Sequence, residues 1–231
     1  WLKSMLFAKI DFINLLPVSV YMKKNIKSNQ IKAIIEYKKS YPSKINKKFK
    51  KRKVDSAFIS SIASKGEKTL DFGIIARGEV TSVLLIPGKY SEDFQSDTSN
   101  ALAKVLELEG QVIIGDKALK YYHENKKDTF IDLAKAWQDK YNLPFVFARL
   151  SYNKNGKYLK KCMKKFNKRQ VKIPQYILKQ YEQRSGISKK DILSYLEKID
   201  YDVNLKEKRA LKLFFKLTKE KGLDLWLYLI Q

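Results

Sequence analysis

The chain has 231 residues, 44% of them hydrophobic and 13% aromatic, with 9 Gly and 5 Pro; this lies outside the disordered, collagenous and low-complexity classes and allows a sizeable core. The longest apolar runs, such as 81-TSVLLIPG-88 and 143-LPFVFA-148, fall far short of the ~20 residues a membrane span needs. The formal charge of +24 rests on lysine, with arginine only at Arg52, Arg77, Arg149, Arg169, Arg184 and Arg209, and arginine is the residue suited to bidentate phosphate and base contacts.

The clusters 44-KINKKFKKRK-53 and 154-KNGKYLKKCMKKFNKR-169 therefore read as solvated faces. Nucleic-acid binding and a general attraction of anionic ligands are the alternatives. Lys9 and Asp11 interrupt the N-terminal apolar segment where a signal peptide would be continuous. Cys162, the single cysteine, can form no internal disulfide. Both point to a cytoplasmic protein with no membrane partner. Residues 1–4, WLKS, precede Met5, where the pattern begins, and are expected to be non-native.

The first predicted element is a strand over 6-LFAKIDFIN-14, ended by Asn14 and Pro17 and followed by a loop or short helix that closes at Tyr21 to Lys24. A second strand is predicted at 32-KAIIEYK-38, then a Pro-Ser turn at 42-PSKIN-46. The run 54-VDSAFI-59 reads as a buried strand, with Ser60 or Ser61 starting a helix that ends near Gly66. The stretch 71-DFGIIARGEV-80 leads into the β-rich run 81–88 and a turn at 88–95. A helix follows over 97-DTSNALAKVLELEG-110, with Ala101, Leu102, Val105 and Leu106 on one face and Gly110 as terminator. The strand 111-QVII-114 then meets Gly-Asp and another helix. An amphipathic helix at 129-TFIDLAKAWQDKYN-142 precedes a strand at 143–148. From about residue 150 the pattern is helical, over 157–168, 174–184, 188–199 (capped by Ser188) and 204–221; residues 223–231 have no assigned role.

Strands alternating with helices predict α/β architecture with largely parallel strands, in which ligands bind where strands end and helices begin. Four such junctions carry small polar residues: Asn14, Ser60-Ser61, Asp97 to Asn100, and Gly115-Asp116. Each is either ordinary helix capping or a seat for a carboxylate or phosphate. Phosphate-loop, dinucleotide, nucleophile-elbow, C-x-x-C and H-E-x-x-H motifs are missing. The single histidine, His123, sits in the helical run 117-KALKYYHENK-126 and suits a surface or packing role, which leaves no histidine for a triad or zinc site.

Six blocks in order resemble the chorismate dehydratase family of the futalosine route to menaquinone: 11-DFINLLPV-18, 55-DSAFISSIA-63, 74-IIARGEVTSVLLI-86, 97-DTSNAL-102, 114-IGDKAL-119 and 143-LPFVFA-148. Asn142 stands where the family has Gly and Asn100 where it has a second Ser, and the Lys-rich C-terminus aligns only loosely. The resemblance implies a two-lobed fold similar to type II periplasmic binding proteins. Residues 5–80 and 148–231 would form one lobe and 81–147 the other, hinged around 77–83 and 145–150, with the C-terminal helices packed on the first lobe. It implies loss of water from chorismate to give 3-[(1-carboxyvinyl)oxy]benzoate, with no cofactor. Asn14 and Ser60 are then expected to orient the reacting centre, and Ser61, Thr81, Ser82, Thr98 and Ser99 to donate to the substrate carboxylates. Gly115 and Asp116 complete the binding set, and Asp116 or Asp97 either relays a proton or caps a helix. Three rivals remain: the sibling 1,4-dihydroxy-6-naphthoate synthase, a solute-binding protein of the same fold, and a nucleic-acid-binding protein.

Overall fold

The computed structural model describes residues 5–8, 10, 12–25 and 42–223. The strand expected at 32–38 lies outside the described residues, as do residues 1–4 and 224–231. In chain order come β1 (Phe7–Ala8), a 3-10 turn (Ile13–Leu15), α1 (Leu16–Asn25), α2 (Pro42–Lys50), β2 (Ser56–Ser60), a second 3-10 turn (Ile62–Ser64), β3 (Thr69–Ala76), β4 (Val83–Pro87), α3 (Asp97–Leu106) and β5 (Gly110–Ile114). Then follow α4 (Gly115–Glu124), β6 (Ile131–Asp132), α5 (Leu133–Tyr141), β7 (Phe145–Tyr152), α6 (Gly156–Met163), α7 (Gln175–Ser185), α8 (Lys189–Glu197), β8 (Ile199–Asp202) and α9 (Leu205–Glu220).

The strands form two sheets, one ordered β1-β2-β7-β3-β8 and one ordered β5-β4-β6. Among the described strands the β1–β2 pair is parallel and every other strand pairing is antiparallel, so the expected largely parallel sheet is corrected. The apolar runs that gave the expectation are equally compatible with either direction, because burial on both faces and not strand direction makes them continuous. β8 was not foreseen: Ile199 and Tyr201 are its only buried residues, too short a signal to separate from the flanking helices.

Local chemistry explains three further departures. Residues 42–46 open α2 instead of forming a turn, since proline suits the first helical position and Ile45 and Phe49 fall one turn apart on a buried face. β2 runs into a three-residue 3-10 turn, not a helix reaching Gly66. α3 stops at Leu106, where Glu107 takes the left-handed conformation (φ 61°), and Gly110 begins β5. Other signals translate directly: Ser188 accepts the Asp191 N–H at 3.1 Å as the cap of α8.

The core joins both sheets. Trp137 of α5 packs edge-on against Phe145 of β7 and Phe214 of α9, with ring centroids 5.2 and 6.1 Å away. Large aromatic pairs of this kind add to the burial of their own surface. Of the C-terminal helices, α9 contacts β7 of the first sheet and also α3, and α7 meets α4, where Arg184 pairs with Asp116 at 3.1 Å. Arg77, from the Arg-Gly block, lies 2.7 Å from Asp200 and 2.6 Å from the fully buried Glu207, tying the exit of β3 to β8 and α9. No helix among the described residues is long and apolar enough to cross a membrane.

The crossing from β3 to β4 is held by a buried carboxylate. Asp132, the N-cap of α5, accepts the N–H groups of Val80 (2.9 Å), Thr81 (2.6 Å) and Lys135 (3.0 Å). Thr81 sits at φ 62°, a strained conformation for a β-branched residue, and these bonds keep it there. The next residue, Ser82, is thereby delivered to a fixed place.

Candidate active site

A cavity of about 60 Å³ lies where the two sheets face each other, at the ends of β1, β2 and β5 and the start of α3. Its polar wall is Asn14, Ser60, Ser82, Ser96 and Ser99, with Gly115 beside them, and Ile10, Phe12, Ile74, Val83, Ile114 and Phe147 supply apolar surface. Among the described residues, no Asp, Glu, Lys, Arg or His lines it. Three predicted junctions therefore meet in one place despite lying far apart in sequence, and the α3 junction joins them through Ser99.

The hydrogen bonds behind the serines decide what they offer to a ligand. Ser60 Oγ accepts from Asn46 Nδ2 at 2.8 Å, while Ser60 N donates to Asn46 Oδ1 at 3.1 Å. Ser82 Oγ accepts from the Tyr195 hydroxyl at 2.9 Å. Ser99 Oγ accepts from Ser96 Oγ at 2.8 Å, and Ser96 caps α3 by accepting the Ser99 N–H. A hydroxyl whose oxygen already accepts from the protein keeps its own proton for a different acceptor. Ser60, Ser82 and Ser99 are thus three oriented donors on the cavity wall.

Asn14 offers the opposite polarity. Its side chain lies beside the Tyr195 hydroxyl, and its Oδ1 is buried with no partner among the described residues. An orphaned buried carbonyl oxygen costs about 1–3 kcal/mol, which a ligand hydroxyl would recover. The Tyr201 hydroxyl fixes the same residue from behind, donating to Asn14 O at 2.6 Å. Gly115, whose N–H donates to Ser82 O at 2.8 Å, leaves room for Phe12: it sits at φ +66°, and a Cβ there would lie 3.2 Å from two carbons of the Phe12 ring.

Four other expected ligand contacts lie off the cavity wall. The Ser61 hydroxyl donates to Val146 O. Thr81 donates to Val80 O at 2.7 Å, and Thr98 Oγ1 accepts the Ile62 N–H at 3.1 Å. Asp116 is engaged by Arg184. The free backbone donors expected after β2 are likewise taken: Ser60 N by Asn46, Ser61 N by Phe147 O and Ile62 N by Thr98. The side chains, not a helix N-terminus, supply the donors at this junction.

Two residues behind the wall escaped the sequence reading. Asn46 is a polar side chain on the buried face of α2, a signal hidden by reading 42–46 as a turn. Tyr195 follows Ile192 on the apolar face of α8 and looks like core in sequence; only the fold brings Ser82 and Asn14 to its hydroxyl.

Outside the cavity, α2 and residues 93–97 border a second cleft of about 350 Å³ that includes Ser43, Asn46, Lys47, Lys50, Asp93 and Asp97. Burial pushes the carboxyl of Asp97 up, opposed by its hydrogen bond from Asn46 and by Lys47. Ser43 N donates to Gln95 O at 3.2 Å, Ser43 Oγ to Phe94 O at 3.1 Å, and Asn46 Nδ2 lies 3.4 Å from Asp97 Oδ2. These contacts tie α2 to the approach to α3.

A family model described as "Menaquinone biosynthesis" matches residues 89–220. A Campylobacter jejuni protein named chorismate dehydratase is 48% identical over 223 residues, covering 95% of this chain and 100% of its own length. An Archaeoglobus fulgidus protein of solved structure superposes with a TM-score of 0.60 at 12% identity, over 95% of this chain and 98% of that one, a likeness of fold alone. A Candida albicans protein, described as exhibiting the generic periplasmic binding protein fold, gives a TM-score of 0.49 at 13% identity over 99% of this chain and 95% of that one. Kinship along the full length of a curated relative agrees with the order of the six sequence blocks, and the chain belongs to the chorismate dehydratase family of menaquinone biosynthesis.

Proposed function

We propose that the protein removes water from chorismate to give 3-[(1-carboxyvinyl)oxy]benzoate, and that it does so in the cavity between the two sheets. Kinship supplies the reaction; the observation that supports this cavity is the orphaned Asn14 Oδ1 among three inward-facing serine donors. In the reaction the C3–H bond breaks, its electron pair forms the C3–C4 double bond, and the C4–O bond breaks as the oxygen leaves with a proton as water. The ring becomes aromatic, so positioning and charge stabilisation matter more than a strong base.

Asn14 and Ser60 orient the reacting centre, Asn14 by accepting from the C4 hydroxyl. Ser82 and Ser99 donate to the carboxylates. The C3 proton is vinylogous to the ring carboxylate, so donors to that group stabilise the charge that develops as the proton leaves. With no histidine or carboxylate among the described lining residues, a carboxylate of the substrate itself takes the proton. No cofactor enters this scheme.

Ligand pockets usually measure about 300–1,000 Å³. At about 60 Å³ the cavity is closed too far to admit the substrate. Entry then requires the lobes, 5–80 with 148–231 and 81–147, to part around residues 77–83 and 145–150, breaking the contacts of Ser43 and Asn46 with residues 94–97. Reclosure excludes water. We place the protein in the cytoplasm, with its lysine-rich surface attracting the dianionic substrate and not nucleic acid.

The test is direct: purified protein is mixed with chorismate and the products are followed by ultraviolet absorbance and mass. The benzoate with loss of one water is expected. Unchanged chorismate would refute the proposal.

A further inference from the structure

Tyr195 stands where the candidate site's two polarities meet. Its hydroxyl donates to Ser82 Oγ at 2.9 Å and lies beside the Asn14 side chain, yet Tyr195 is not among the residues lining the cavity. Because the tyrosine's proton goes to Ser82, its oxygen can only accept from the neighbouring Asn14 amide, which favours Nδ2 toward it and Oδ1, without a partner among the described residues, away from it. One hydroxyl therefore sets two outcomes: an acceptor exposed on Asn14 and a free proton on Ser82.

The surrounding fold holds this hydroxyl in place. α8 packs against the 3-10 turn that carries Asn14 and against β8. Lys168 Nζ donates to the carbonyls of Leu196 (3.2 Å), Glu197 (3.1 Å) and Ile199 (2.6 Å), fixing the end of α8 one turn beyond Tyr195. Charge neutralisation at a helix C-terminus is favourable as well as rigidifying. Burial, with Asp116 and Asp132 nearby, pushes the phenol well above its usual range, so it remains a donor at working pH and does not itself pass a proton.

We propose that Tyr195 is a positioning residue for the dehydration, setting the hydrogen-bond polarity of Asn14 and Ser82 so that acceptor and donor face the substrate. The inference rests on the function proposed above and extends it to a residue outside the cavity wall.

Tyr195→Phe removes the hydroxyl and keeps the ring. Losing one set of oriented contacts is expected to lower kcat about ten- to thirtyfold with KM little changed. Combined with Ser82→Ala it should cost less than the product of the two single effects, since both act through one bond. Ile192→Val, a packing loss on the same helix, should leave kcat near wild type. Wild-type kcat in Tyr195→Phe, multiplicative effects in the double variant, or an equal loss in Ile192→Val would each overturn the proposal. Those results leave the wild type dehydrating chorismate, whereas a wild-type protein inert toward chorismate sinks the proposed function and this inference together.

Discussion

Replacing Asn46 by Asp keeps the shape of the side chain behind Ser60 and inverts half of its polarity. In the native protein Asn46 Oδ1 accepts the Ser60 N–H at 3.1 Å and Nδ2 donates to Ser60 Oγ at 2.8 Å. A carboxylate preserves the first contact and cannot make the second. Ser60 then turns its proton onto the introduced oxygen and away from the cavity. The substrate loses one hydrogen bond to a charged group, about 1.5–3 kcal/mol, which corresponds to a roughly ten- to hundredfold fall in kcat/KM. The introduced carboxylate also faces Asp97, whose carboxyl is already pushed up by burial, and a like charge at that spacing raises the pKa of one member of the pair. Protonation returns a donor toward Ser60, so part of the activity should recover as pH falls. Asn46→Ala behaves differently, because it orphans the buried Ser60 N–H at a cost of about 1–3 kcal/mol, or roughly 2–4 °C in Tm per kcal/mol for a chain of this size. Initial rates of chorismate loss across the pH range, with thermal melts of each variant, measure both effects. Wild-type kcat/KM in a folded Asn46→Asp variant at neutral pH would refute the polarity argument.

Two further substitutions separate binding from structure. Ser61→Ala deletes a buried bond to Val146 O, so Tm should fall by about 2–4 °C with kcat/KM near wild type, whereas Ser60→Ala should lose turnover; the reverse ordering in paired kinetics and melts would reject the placement of the two hydroxyls. Burial pushes the Asp132 carboxyl up to about 6, so the folded state holds a proton that the unfolded state has released between its ordinary value and that pH. Its contribution to stability is thus fully present below about pH 4 and declines as pH rises through 6, by up to about 3 kcal/mol for a shift of roughly two units. Urea titrations of wild type and Asp132→Asn should show a stability difference that moves against wild type with rising pH, and a constant or opposite trend would contradict the burial argument.

The junctions at Asn14, Ser60 and Gly115 were legible because a strand ending in small polar residues is a local pattern, and their order along the chain carried the family resemblance. The direction of the strands was not, because apolar runs encode burial and not pairing partners. Ser60 and Ser61 show the limit within two residues: their sequence contexts are nearly equivalent, yet β2 turns one side chain to the cavity and the other to Val146. Asn46 and Tyr195 were hidden for a related reason. Each lies on the buried face of a helix whose register is legible, but its partner comes from another segment, so its meaning is fixed only by tertiary contact.

The contrast between a strongly basic chain and a candidate cavity lined by no cation follows from what each must do. A buried lysine against each carboxylate would need desolvation and would grip the benzoate product, itself a dicarboxylate, as firmly as chorismate. Such uniform binding does not lower the barrier of the chemical step. Neutral donors held by Asn46, Tyr195 and Ser96 need no comparable desolvation and are aimed before the substrate arrives, which is the condition under which hydrogen bonds stabilise developing charge. Under the proposed function, the formal charge of +24 acts at longer range as a field of the whole lysine-rich surface that attracts a dianion and leaves selectivity to the uncharged cavity wall. Salt should therefore screen the encounter while the chemistry inside the closed cavity, shielded from mobile ions, proceeds at its own rate.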